Sequence, residues 1–402
     1  MDFKKKLIEE NSAKVVDVSP VVNKIQYGFD KLKVKVDVAL GGSAAKGTSL
    51  KHYDLDIFVR FYGSPDSNLL EKVLKKEFGK VERLHGSRDY FQIRFEEKRY
   101  EVVPVLKISK AEEAKNVTDV SMLHVEWVNR HLKNPDEVKL AKLFCKAQHV
   151  YGAESYINGF SGYLLEILVV NYRSFDNLMK AAAKWKPRTV IDASKYYKNH
   201  EEVFKSLNAS KLISPIIVID PVQKNRNAAA AVNIETFGKF IDAAKRYVKK
   251  PSADFFIREP FMLEELKKKA KNSELVVLRV QPFSGKEDVV NTKLLKAYQF
   301  LKEKIEKNGF NIIKSEFEFD ANIFWFIINP KELPAKMEVL GPKKDVRKEF
   351  IADFKKKYKK VKLVRGRYTA VTKRKYTKPL MLVKDLIRHE YFKEKARKVS
   401  LC

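Results

Sequence analysis

Cysteine is almost absent. Cys145 and Cys402 are the two in 402 residues, which excludes a thiolate metal cluster and a disulfide-stapled scaffold and suits a reducing cytoplasm. Long apolar runs are missing too. The most apolar window, Gly162 to Val170, is short and carries Glu166, so it does not span a bilayer. The segment Met1–Lys14 is charged and lacks the apolar stretch of a signal peptide, and neither end shows a lipidation signal or basic amphipathic anchor. No internal repeat or low-complexity linker interrupts the chain. These absences lead to the expectation of a soluble cytoplasmic protein with no membrane partner.

What the chain has in excess is positive charge. Lys and Arg number 81 against 51 Asp and Glu, a net charge of +30. A surplus of that size attracts polyanions, and phosphate backbones are the commonest ones open to a soluble protein. With 45% hydrophobic and 11% aromatic residues the chain can build real cores. Its length fits roughly two to four domains.

Residues 1–30 read as helical. Val34, Val36, Val38 and Leu40 then alternate with polar or small residues as a half-buried strand, which ends at the turn Gly41-Gly42-Ser43. A second strand is expected over Asp54–Phe61, a helix over Ser67–Phe78, and strands over Tyr90–Phe95 and Arg99–Leu106, giving a small α/β head. From Thr118 the pattern is helical. Pro135-Asp136 opens a helix expected to run to Gly152, and further helices are expected over Gly162–Asn171 and Phe175–Lys184, an all-helical segment ending near Lys249-Lys250-Pro251. The last third returns to α/β. A strand at Leu275–Val280 precedes a helix through Leu294, Tyr298, Leu301 and Ile305 that Gly309 stops. Ile313, Ser315, Phe317 and Phe319 then alternate as a strand with Asn322–Asn329 as its antiparallel neighbour, and a helix follows near Val346–Tyr358. This order fits sheet-and-helix RNA-binding folds, though many folds share it.

The chemistry centres on Gly42-Ser43 followed by Asp54-Leu55-Asp56. Residues two apart on a strand share a face, so Asp54 and Asp56 point together while Leu55, Ile57 and Val59 enter the core. Two neighbouring carboxylates repel, and a divalent cation removes that penalty. Magnesium favours such oxygen ligands together with substrate phosphates, and Glu101 in a third strand supplies another carboxylate. Glycine lets the backbone approach phosphate, Ser43 can donate from N–H and hydroxyl, and Lys46 adds a charge. Lys139, Lys142, Lys146 and His149 fall within roughly an 80° arc of the expected helix, which would suit a triphosphate or simply a solvated face. Taken alone, His124 reads as a structural histidine, Tyr151 as a core aromatic, and Arg226 as a partner of Asp220. Near the C-terminus, Lys362, Arg365, Arg367, Lys373, Arg374 and Lys375 surround Tyr368 and Tyr376, a mixture that suits RNA contact or a charged edge strand.

Gly42-Ser43 with Asp54 and Asp56 resembles the nucleotidyltransferase fold of the DNA polymerase β superfamily. The stretches Val150-Tyr151-Gly152-Ala153-Glu154, Gly159-Phe160-Ser161-Gly162-Tyr163, Ile219-Asp220-Pro221-Val222 and Arg226-Asn227-Ala228-Ala229-Ala230 resemble the archaeal, class I CCA-adding enzymes, the tRNA nucleotidyltransferases. The resemblance implies a multidomain α+β fold: a polymerase β-like α/β catalytic head (1–115), a helical nucleotide-binding middle domain (116–250) and an α/β C-terminal tRNA-binding region (251–402). It implies that Asp54, Asp56 and Glu101 bind Mg2+, with Glu101 standing where Asp is usual. It implies triphosphate or nucleotide contacts for Gly42, Ser43, Lys46, His124, Lys142, Tyr151 and Arg226. Arg is more usual at position 46, and the approach to His124, Asp119-Val120-Ser121-Met122-Leu123, lacks the Arg and Pro of the usual motif. The partners implied are the acceptor arm and 3′ end of tRNA, with CTP and ATP, and a homodimer stays open. The alternatives are a poly(A) polymerase or oligoadenylate synthetase-like enzyme, separated by acceptance of CTP, and an RNA-binding protein on a degenerate nucleotidyltransferase fold, separated by metal-dependent turnover.

Overall fold

The computed structural model describes residues 3–14, 16–51, 53–258, 261–329 and 331–402. The chain forms two compact units, Met1–Glu259 and Pro260–Cys402. In the first, a five-stranded sheet has the order β1-β2-β5-β4-β3, built from β1 (Val36–Leu40), β2 (Leu55–Phe61), β3 (Val81–Leu84), β4 (Tyr90–Phe95) and β5 (Lys98–Leu106). β2 and β5 are parallel and the other neighbours antiparallel. Alternation sends Leu55, Ile57 and Val59 with Tyr100 and Val102 into one core, beneath α2 (Ser19–Lys31) and α4 (Ser67–Phe78). The Asp66 side chain caps α4 by accepting from Asn68 N and Leu69 N, and Gly79 ends it at φ +77°. The opposite face of the same strands carries Asp56, Glu101 and Gln92. Between β1 and β2, Gly42–Ala45 makes a single helical turn, α3.

The helices α5 (Ser121–His131), α6 (Pro135–Ala147), α7 (Gly162–Tyr172), α8 (Phe175–Ala182) and α10 (Ile234–Lys249) follow, with α9 (His200–Ser206) before α10. Two expectations fail here. The segment is not all-helical: β6 (Thr189–Ile191) pairs in parallel with β7 (Ile216–Val218), a wholly buried β-branched run that strand geometry accommodates well. And α6 stops at Ala147 instead of continuing to Gly152. His149 and Gly152 take φ of +57° and +125°, the Val150 amide donates to Cys145 O, and the chain folds back so that Tyr151 bridges to Phe160. This turn puts Val150 and Phe160, both fully buried, into the core, which a continued helix would not do.

That core collects Phe144, Phe160, Phe175, Phe240 and Tyr247. Phe144 sits 5.5–6.2 Å, centroid to centroid, from five other rings, including Phe255 and Phe256. The chain thus continues to pack into this core beyond Pro251. From the other end, Leu7 of α1 (Phe3–Asn11) joins the same core rather than that of the sheet.

In the second unit, β8 (Glu274–Gln281), β9 (Asn311–Glu318), β10 (Ile323–Asn329) and β14 (Lys398–Leu401) form an antiparallel sheet in the order β14-β8-β10-β9. One face is covered by α12 (Glu287–Lys307), α14 (Pro379–Leu386) and α15 (Glu390–Lys393), and the other by α11 (Leu263–Lys269). The expected alternation along β9 breaks at a bulge. Ile327 opposes Lys314 while Ile328 opposes Ile312, so Ile313 is left 56% exposed. A second antiparallel sheet, β11 (Lys336–Lys343), β13 (Arg367–Lys373) and β12 (Val361–Val364), carries α13 (Lys348–Lys357). Lys362, Arg367 and Lys373 lie on these strands. Arg374, however, donates to Asn308 O, and the Tyr376 hydroxyl to Asp385, so the basic run is partly spent on its own fold. Among the described residues no helix is long and apolar enough to cross a membrane.

Removing the Phe144 ring leaves a cavity at the centre of the five-ring cluster. Phe144→Ala should destabilise the first unit by about 3–5 kcal/mol in urea unfolding followed by tryptophan fluorescence.

Candidate active site

The parallel register of β2 and β5 sets Asp56 directly opposite Glu101 on the sheet face away from the core. Gly42 closes over this pair. It takes φ +57°, and a Cβ there would fall 1.8 Å from Asp56 Oδ2, so only glycine allows the turn to approach this closely. The Gly41 amide donates to Asp56 O at 2.7 Å, which fixes the turn to the strand. Burial first, then the charges of Glu101 and Asp54, push the Asp56 carboxyl up to about 7, while Lys46 opposes the rise.

The third acid is placed differently. Asp54 precedes β2, is exposed, and accepts from Arg99 Nη2 at 2.8 Å. Glu101 accepts from Gln92 Nε2 at 2.7 Å. Among the described residues no group of three or more His, Cys, Asp or Glu side chains converges as a metal site. The donor chemistry nevertheless fits a hard divalent cation. All the candidate ligands are carboxylate oxygens, and the raised affinity of Asp56 for protons is the electrostatic deficit that a cation relieves.

Beyond α3 the loop is tied to the helices. Ser43 Oγ lies 2.9 Å from Ser49 Oγ, and Asn129 of α5 donates to Ala45 O at 3.1 Å. Lys46 Nζ meets Glu166 Oε2 of α7 at 2.5 Å, and Thr48 Oγ1 donates to Glu166 Oε1 at 2.7 Å. Lys142 Nζ donates to Thr48 O at 2.9 Å and lies 3.8 Å from Glu166. Burial lowers the Lys142 ammonium to about 8, against the pull of Glu166. Tyr151 is partly buried, and that desolvation pushes its hydroxyl pKa up; its ring receives Lys146 at 5.3 Å. The expected stripe of cations on α6 does not form. Lys142 points inward, Lys139 pairs with Asp136, and His149 lies past the end of the helix.

A second cluster adjoins the first. Tyr163, one turn before Glu166 on α7, stacks on His124 with ring centroids 4.0 Å apart, and Lys46 Nζ lies 5.8 Å from the Tyr163 centroid. The Tyr163 hydroxyl donates to Asp220 Oδ1 at 3.0 Å, and Arg226 Nη1 to Asp220 Oδ2 at 2.5 Å. His124 Nε2 is 3.4 Å from the same oxygen but makes no hydrogen bond. Burial works to raise the Asp220 carboxyl, yet His124, Arg226 and the Val222 amide outweigh it and hold it down at about 2. The guanidinium side chain of Arg226 stays 36% exposed. The bland pairing of Arg226 with Asp220 therefore exists, and it leaves part of the Arg226 side chain open to a ligand.

Three family models match in sequence order: a nucleotidyltransferase domain over residues 22–121, a tRNA nucleotidyltransferase second domain over 136–257, and a CCA-adding enzyme C-terminal domain over 273–395. The CCA-adding enzyme of Nanoarchaeum equitans is 36% identical over 83% of this chain and 82% of its own. That of Methanocaldococcus jannaschii is 32% identical over 88% and 81%, and that of Thermoplasma acidophilum 28% over 96% and 87%. The chain belongs to the archaeal-type CCA-adding enzyme family. Its fold is the multidomain α+β arrangement of that family, with a nucleotidyltransferase head.

In this chain, sequence reasoning passed over Glu166, noting it only as the charge that interrupts an apolar window. That interruption was the available signal: an acid placed among Leu, Ile and Val needs a buried partner. Asp119, in the altered approach to His124, has a structural role. It accepts from Arg88 Nη1 at 2.6 Å and from the backbone amides of Leu106, Lys115 and Asn116.

Folding favours the protonated form of Asp56, since its carboxyl titrates near 7 against 3.8 in the open chain. In chelator-treated protein this contribution to stability should be complete below about pH 4 and disappear as pH rises through about 7. The melting temperature should fall across that window in the native protein and stay flatter in Asp56→Asn, and added divalent cation at pH 7.5 should restore it.

Proposed function

We propose that this chain adds C, C and A to the 3′ end of tRNA, transferring CMP and AMP from CTP and ATP without a nucleic-acid template. The observation that carries the reading is the Asp56–Glu101 pair beneath the Gly42-Ser43 turn, in a chain matched in succession by nucleotidyltransferase, tRNA nucleotidyltransferase and CCA-adding enzyme family models. The oxygen of the terminal 3′-hydroxyl attacks the α-phosphorus. The bond from that phosphorus to the bridging oxygen breaks, and pyrophosphate leaves with its electron pair.

Asp54, Asp56 and Glu101 would hold magnesium, Asp54 by exchanging its Arg99 contact for the cation. Bound there, the metal supplies charge neutralisation at the phosphates and favours the ionised form of the attacking hydroxyl. Glu101 reaches one methylene further than the usual Asp, and Gln92 fixes its outer oxygen. Gly42 and Ser43 present backbone and hydroxyl donors to the triphosphate, with Lys46 and Lys142 behind them. The exposed part of Arg226, steadied by Asp220, would meet the incoming base beside His124, and Tyr151 lies so close to Gly162 that a Cβ there would fall 3.2 Å from its hydroxyl. The head (1–115) would thus carry the chemistry, the middle domain the nucleotide, and the basic C-terminal region the acceptor arm. A reducing cytoplasm suits the buried Cys145 thiol.

Incubating labelled CTP and ATP with tRNA ending before or within CCA should give two CMP additions and then one AMP, only with magnesium. AMP addition alone would move the reading to a poly(A) polymerase, and tRNA binding without turnover to a degenerate binding protein. Asp54→Ala and Asp56→Ala should each lower transfer at least about a hundredfold with tRNA binding retained. Glu101→Asp should stay within about tenfold of the native rate, whereas undiminished activity in Glu101→Ala would remove that acid from the site.

A further inference from the structure

Glu166 is fully buried and lies far in sequence from every group it holds. Its two oxygens take up Lys46 at 2.5 Å and Thr48 at 2.7 Å, with Lys142 at 3.8 Å. Lys46 and Thr48 belong to the loop that follows the Gly42 turn, whereas Lys142 and Glu166 belong to α6 and α7. Lys142 in turn binds the Thr48 carbonyl and hydroxyl, at 2.9 and 3.1 Å, so the four groups close a ring of polar contacts across the join between sheet and helices. Lys46 is near enough to Asp56 to act on its carboxyl, and Lys142 senses both Lys46 and Lys146. Two ammonium groups, Lys46 and Lys142, thus share one buried carboxylate, and the surplus of positive charge suits a polyphosphate.

We propose that Glu166 is the positioning residue for the triphosphate, holding Lys46, Thr48 and Lys142 in one frame so that the loop and α6 grip the same phosphates. It touches neither the reacting atoms nor the base. A buried lysine pair without a counter-charge would separate, and Lys46 is the member carried by the loop after α3 rather than by a helix. Glu166 therefore acts on every nucleotide equally and on pyrophosphate as well, but not on tRNA. The inference rests on the proposed nucleotidyl transfer, and native enzyme assayed alongside tests that reading separately: if the native chain fails to incorporate CTP and ATP, it is the function that falls.

The test is steady-state kinetics of Glu166→Gln and Glu166→Asp, with melting temperatures recorded for each. In Glu166→Gln the KM for CTP and ATP and the inhibition constant of pyrophosphate should rise together by about tenfold. The kcat should stay within about threefold of the native value, with KM for tRNA unchanged. Glu166→Asp, which keeps the charge, should recover most of the loss, and it carries the test on the same readouts if the Gln variant does not fold. Unchanged nucleotide KM in a folded variant, a loss confined to kcat, or a shift for one nucleotide but not the other would each overturn the assignment.

Discussion

Parallel pairing of β2 with β5 brings Asp56 and Glu101 level with each other on one face of the sheet, and most of the site follows from that placement. Burial of Asp56, reinforced by the charges of Glu101 and Asp54 beside it, is why its carboxyl holds a proton to about 7. The same crowding forces glycine at position 42, because any side chain there would strike the Asp56 carboxylate. The close approach of these acids is thus stored in the fold as an electrostatic cost that a bound cation would relieve. The neighbouring strand contacts, Arg99 on Asp54 and Gln92 on Glu101, keep the flanking acids ordered meanwhile.

Around that face, buried carboxylates outside the acid pair organise the cations. Glu166 collects Lys46 and Lys142, and Asp220 collects Arg226 with His124 close by. Both connect to α7, Glu166 directly and Asp220 through the Tyr163 hydroxyl one turn earlier. A charge taken out of water must keep its partner, so each pair fixes geometry more than it adds stability. Helix α7 therefore ties both charge clusters, that of Glu166 and that of Asp220, to one element seated in a core of close-packed aromatic rings.

The C-terminal unit is built on another principle. Its four-stranded sheet is covered on both faces, and the basic strands belong to the smaller sheet. Part of that basic run anchors its own turns, as Arg374 does on Asn308 O. What is left exposed is positive, in keeping with the charge of the whole chain.

The sequence by itself determined the local features. Alternation of Val36, Val38, Leu55, Ile57 and Val59 marked the strands and their inward faces. The helix at Ser67–Phe78 was legible to its bounds, and Gly42-Ser43 with Asp54 and Asp56 marked the acid centre. These follow from periodicity and side-chain chemistry, which act over a few residues. Only the tertiary structure decided what depends on distant partners. Helix α6 ends early because Val150 and Phe160 are drawn into a common core, and the short β6–β7 pair joins segments 25 or more residues apart. Asp54 turns to Arg99, 45 residues away, and Glu166 finds Lys46 across 120. No local pattern encodes such pairings, because the desolvation that makes them necessary arises only when the chain has closed around them.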